Sequence, residues 1–150
     1  MFGTYTVGAT VAGSAAFCIT ATSVSGLDIK NNIFNNKMTS STATTKKFMS
    51  VWFPASYNFS TTTLNNNAYT ITNEADHFVG KIGITNGTGE YSTLATWAPI
   101  SQVGNPANDV NSVPPANAPA PFTADNNLTF SINVLTPIES GAILIPALGT

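Results

Sequence analysis

Arginine is absent from the chain, and lysine, aspartate and glutamate together make up only 8% of its 150 residues. An ordinary soluble domain carries about 25% charged residues. Five lysines, no arginine and a net charge of −2 exclude a strong nucleic-acid binder, because neutralising phosphates supplies most of such affinity. The polar surface must be built from Asn, Thr and Ser, which repel a neighbouring copy weakly, so a subunit packed against its own kind fits better than a dilute monomer. Four of the five lysines, Lys30, Lys37, Lys46 and Lys47, precede Phe48, whereas Glu74, Asp76, Glu90, Asp109, Asp125 and Glu139 follow it with Lys81. A basic patch on one copy could therefore face an acidic one.

Cysteine is almost as scarce. A lone Cys18 cannot form an intramolecular disulfide and is read as a small buried thiol in an apolar strand. The single histidine, His77, falls in Glu74-Ala75-Asp76-His77, which has no metal-ligand or HExxH spacing and is read as a charged strand entry. No CxxC, GxSxG elbow or phosphate-binding glycine loop occurs. Catalytic, cofactor and metal residues are therefore none in this reading. Three Asn-x-Ser/Thr patterns, at Asn58, Asn86 and Asn127, are expected by chance in a chain this rich in Asn and Thr.

Met1 to Leu27 carries no charge, and with no basic n-region no signal peptide is expected. Val7 to Val24 holds no leucine and is diluted by Gly, Ser and Thr, which argues for an extended arm or strands rather than a membrane helix.

What is present is mostly strand signal. His77 to Trp97 predicts a hairpin, with Phe78, Gly80, Ile82 and Ile84 on one face and Val79, Lys81 and Gly83 on the other, a reversal at Thr85-Asn86-Gly87-Thr88-Gly89-Glu90, and a second arm from Tyr91 to Trp97. Phe48 to Phe53 is apolar at nearly every position and predicts a strand buried on both faces, ended by Pro54. Ala68 to Thr72 and Leu128 to Leu135 predict two more strands, and residues 25 to 47 read as a polar connecting loop. The expected core draws on Val51, Phe53, Phe78, Ile82, Ile84, Leu94, Phe130, Ile132 and Val134.

Residues 98 to 121 contain Pro99, Pro106, Pro114, Pro115, Pro119 and Pro121, too many for a helix interior or a central strand, and predict a surface strap. The apolar stretch 140 to 150 must pair with a sheet, its own or another chain's.

The fold expected is a single all-β domain, a sandwich of jelly-roll or Ig-like kind with roughly seven or eight strands. Uncharged arms would extend at both ends, with Tyr5, Val7, Val11, Ile143, Leu144 and Ile145 as assembly contacts. The function expected is a self-assembling structural protein located in a virion, as a small capsid, capsid-decorating or spike protein, whose partners are copies of itself and other virion proteins. The alternative is an extracellular or cell-surface filament or pilus subunit joined by donor-strand exchange. An enzyme, or a carbohydrate-binding sandwich using Trp52 or Trp97, ranks behind both.

Overall fold

A computed structural model describes residues 13–39, 46–72, 75–85, 87–114, 122–124 and 127–130. The apolar run around Val51 is a central strand, β4 (Lys47–Phe53), with β1 (Gly13–Cys18) on one side and β7 (His77–Ile82) on the other. Both pairings are parallel, which demands a long crossover between consecutive strands. The crossovers are themselves built of short strands. Between β1 and β4 lie β2 (Asp28–Lys30) and β3 (Ile33–Asn36), and between β4 and β7 lie β5 (Thr63–Asn65) and β6 (Ala68–Ile71). β2 pairs in parallel with β5, and β3 with β6. Gly13 stands opposite Lys47, 34 residues on, while Asp28 opposite Thr63 and Ile33 opposite Ala68 are 35 residues apart. The chain therefore closes a circuit and lays the next one on top of it.

Asparagine makes the corner of the first two circuits. Asn31 and Asn66 hold φ of 58° and 55°, a left-handed conformation that Asn tolerates better than most side chains. The next residue in the second circuit, Asn67, is fully buried and spans the gap to the first circuit. Its Oδ1 accepts from the Asn32 N–H at 3.0 Å, and its Nδ2 donates to the Ile29 carbonyl at 2.9 Å. Ser112 takes the equivalent place one level further, its Oγ accepting from the Asn67 N–H at 3.2 Å. Each corner thus satisfies backbone groups of its neighbour that burial would otherwise leave unpaired.

The third circuit is closed off differently. After β7 the chain turns back into β8 (Glu90–Tyr91), antiparallel to β7, then forms the helix α1 (Leu94–Ser101) and rejoins the corner at Val113, bridged in parallel to Ala68. Thr93 caps α1 with a reciprocal Thr93–Thr96 capping box, and Leu94, Trp97 and Ser101, on one helical face, are buried. β9 (Phe122–Ala124) and β10 (Asn127–Phe130) form a separate antiparallel pair. Inside the circuits an aromatic core runs from Phe17 through Phe34 to Tyr69, and from Phe53 to Tyr57, Phe59 and Trp97, with ring centroids 4.8–6.0 Å apart.

The fold is mainly β, as the sequence predicts, but the ladders among the first seven strands are parallel and stacked circuit on circuit, whereas jelly-roll and Ig-like sandwiches pair antiparallel. The 25–47 segment is not a loop, since it carries β2 and β3. The predicted hairpin exists as β7 and β8, with Gly80 opposite Tyr91, but its second arm ends there and the residues to Trp97 enter α1. Val51, Phe53 and Leu94 are buried as expected, and Phe78 and Ile82 are half-buried. Ile84 is 81% exposed, because Gly83 at φ 82° ends the strand and its alternation before that residue. Cys18 is exposed at the end of β1, not buried. The Phe130 side chain, Ile132, Val134 and residues 140–150 lie outside the described parts. Among the described residues no helix is long and apolar enough to cross a membrane.

Candidate functional site

Among the described residues, buried and half-buried ionisable side chains gather in three places, and each one joins successive parts of the coil. Lys81, on β7, is completely buried. Its Nζ donates to Glu90 Oε1 at 2.9 Å and to the carbonyls of Thr85 at 2.8 Å and Thr88 at 3.1 Å. Glu90 also accepts from the Gly87 N–H at 2.8 Å and lies 4.0 Å from Lys47 Nζ. The three donors of the ammonium are spent on closing the 83–89 turn, so this lysine is held as a clasp and not as a nucleophile.

The second cluster links β6 to the segment after α1. The Tyr69 hydroxyl donates to Asp109 Oδ1 and the Ser101 hydroxyl to Asp109 Oδ2, each at 2.7 Å, and all three residues are buried. Asn108 beside them accepts from the Leu64 N–H at 2.9 Å and donates to the Ser101 carbonyl at 2.7 Å. Burial pushes the Asp109 carboxyl above its ordinary range, against the hydrogen bonds from Ser101, Tyr69 and Ser112. The Trp97 indole N–H, buried nearby without a hydrogen bond of good geometry, also favours the charged form. Burial first, and then the charge of Asp109, pushes the Tyr69 phenol well above its ordinary range. A serine that donates to a buried carboxylate, with no imidazole beside it and no exposure, is not an activated nucleophile.

Asp109 holds φ 54°, where Asn is as well tolerated as Asp. Asp109→Asn is therefore expected to fold with stability within about 1 kcal/mol of the parent, since both hydroxyls can turn to suit an amide, whereas Asp109→Ala should lose about 2–3 kcal/mol by stranding them. The raised carboxyl binds its proton more tightly folded than unfolded. Its contribution to stability is greatest below the ordinary value near 3.8 and declines as pH rises through the raised one. Urea titrations at several pH values should show that decline flattened in Asp109→Asn; an unchanged pH profile would refute the assignment.

The third cluster is Asp76-His77. His77 Nδ1 lies 2.8 Å from Asp76 Oδ1 and Nε2 lies 2.9 Å from the Met38 carbonyl, with the ring 5.0 Å from Phe48. These contacts tie β7 to the strand end after β3. Glu74 lies outside the described residues, and no group of three or more His, Cys, Asp or Glu that could hold a metal is found among those described.

The residues singled out in the sequence are dispersed. Tyr5, Val7, Val11, Ile143, Leu144, Ile145, Pro115, Pro119 and Pro121 lie outside the described residues. Pro106 and Pro114 are exposed, on a segment held down by Asn108 and Asp109. Trp97 is wholly buried, so it has no face for a sugar, and Trp52 donates its Nε1–H to the Gly83 carbonyl at 2.6 Å. The lysines do not form one solvated patch: Lys30 pairs with Asp28, Lys47 and Lys81 share Glu90, and Lys46 is buried.

The feature that remains is the rim of the first circuit. Among the described residues, β1 is one of the two outer strands of its sheet and β2 and β3 each pair on one side only, so three short strands present backbone groups along one end of the coil. The signal for it in the sequence is the recurrence of Ile29-Lys30-Asn31-Asn32-Ile33-Phe34 as Leu64-Asn65-Asn66-Asn67-Ala68-Tyr69, which local patterns of strand and turn pass over. Comparison of the chain with protein-family models, curated proteins and solved structures finds no match.

Proposed function

We propose that the protein is a self-assembling structural subunit, a short parallel β-solenoid in place of the sandwich expected, and that it serves as a virion component such as a capsid, capsid-decorating or spike protein. The observation that carries this reading is the asymmetry of the coil. Its third circuit is followed by β8 and α1, while among the described residues the strands of the first circuit each pair along one edge only. Unpaired strand edges template pairing with another chain, and proteins that stay monomeric blunt them. The polar clusters support the same reading, since their hydrogen bonds are spent within the coil. The open edge of β1 is also what a donor strand would occupy, which keeps the filament or pilus subunit as the second reading.

Electron microscopy of the concentrated protein tests this. Discrete shells, rings or spikes are expected, and filaments would favour the second reading. Assembly should persist or strengthen as salt is raised, because backbone pairing and apolar burial, not lysine–phosphate contacts, hold it. Monomers at every concentration, or particles that dissolve with salt and release nucleic acid, would overturn the proposal.

A further inference from the structure

We infer that the rim of the first circuit is a homotypic interface, at which two copies meet end to end across a twofold axis. This rests on the reading as a self-assembling subunit and names the surface it uses. At the opposite end the outer strand of the same sheet is β8, only two residues long and antiparallel to β7, so head-to-tail stacking of one coil on the next would set the six-residue β1 against an edge that does not match it. An isologous contact, rim to rim, is the arrangement left to a pair of copies.

The shape of the rim favours a copy over a lone peptide. Its three strands are separated by turns, one at Gly26 with φ 68° and one at the Asn31 corner, so a single extended segment could pair with only one of them. A second circuit of the same outline can meet all three. The Asn31–Asn32 corner falls midway along the chain between β1 and its stacked successor β4. An axis through the middle of β1 and through that corner lays β1 antiparallel to its symmetry mate and sets β2 of each copy against β3 of the other.

The β1 edge is suited to this. Its sequence, Gly-Ser-Ala-Ala-Phe-Cys, has no charge and no proline, the residues that ordinarily protect an edge. The Ile19 N–H donates to the Trp52 carbonyl at 2.8 Å, and Cys18 stands opposite Trp52 in register. The N–H and carbonyl of Cys18 therefore turn away from β4, toward the open side.

Cys18 supplies the experiment. Its side chain is exposed, so Cys18→Pro removes one outward N–H without touching the β1–β4 ladder, and Cys18→Lys places a charge on the edge. Analytical ultracentrifugation of the full chain over a range of concentrations should show dimers or larger assemblies for the parent. Both variants should weaken association by about tenfold or more while keeping the parent circular dichroism. In the parent, alkylation of this sole thiol by a maleimide should slow as concentration rises and the rim is covered. Oligomers that survive both substitutions would overturn this interface and leave the self-assembly reading standing, with another surface responsible. A thiol protected equally at all concentrations would mean that a segment of the same chain covers the rim, and would overturn it too. A parent monomeric throughout would sink both.

Discussion

Trp97→Ala is expected to destabilise the protein by about 3–5 kcal/mol, the loss typical of a large aromatic removed from a core. Trp97 is completely buried and joins α1 to the coil: its ring lies 6.0 Å from Phe53, 6.1 Å from Phe59 and 5.8 Å from Tyr91. The floor beneath it is Gly80, in the middle of β7, where an added Cβ would run into the indole ring. A glycine is needed there because of this close approach. Gly80→Ala should therefore cost about 1–3 kcal/mol by displacing the indole. The two effects share one cause, so in the Trp97→Ala background the Gly80→Ala penalty should largely vanish. Urea denaturation gives each value from the shift in midpoint at unchanged slope. Additive costs in the double variant would show that Gly80 and Trp97 are not coupled and that something other than this contact places the helix.

The same contact explains part of what the sequence concealed. β4 was legible because six consecutive apolar or small residues leave few alternatives to a buried strand. The β7–β8 turn was legible because Gly87 and Gly89, with φ of 83° and 63°, are where a tight reversal needs them, whereas Gly83, at φ 82°, read as part of the strand. Helix α1 was hidden: Tyr91, Thr93, Thr96 and Trp97 favour strand, and Pro99 sits within the helix, so the three-and-four spacing of Leu94, Trp97 and Ser101 is easily missed. The Gly80–Trp97 fit that holds it is not local. The parallel coil was harder still, because β2, β3, β5 and β6 are three or four residues long, too short for an alternation to declare itself, and their partners lie 35 residues away. Asn31 read as part of a polar loop and Asn66 as part of the run that sets off the Ala68 strand, although the property that matters at both is tolerance of positive φ. Lys81 read as the solvent side of an alternating strand. Only the folded turn brings Glu90, Thr85 and Thr88 to bury it.

Lys81→Met is expected to cost about 3–5 kcal/mol, because removing one partner of a buried ion pair leaves the other uncompensated. The groups that lose a partner are the Glu90 carboxylate, with only Lys47 at 4.0 Å and the Gly87 N–H left to it, the Thr88 carbonyl, and the Thr85 carbonyl, which keeps the Thr88 hydroxyl at 3.2 Å. Adding Glu90→Gln should recover much of the loss, as it removes the unpaired charge while keeping an acceptor for Gly87. The pH dependence separates this from simple loss of packing. Burial alone would raise the Glu90 carboxyl, but hydrogen bonds from Lys81 and Gly87 and the charges of Lys81 and Lys47 outweigh it and hold the group below its ordinary value near 4.5. A depressed carboxyl gives stability that is fully present above the ordinary value and is lost as pH falls through the folded one. With Lys81 gone, burial is the largest influence remaining, so the acid loss should shrink and the variant should lie closest to the parent at low pH. Thermal melts of the parent, Lys81→Met and the double variant across the acid limb measure this. A Lys81→Met deficit that stays constant from neutral to acid pH would show that the clasp acts through packing alone and that the buried charge pair contributes nothing.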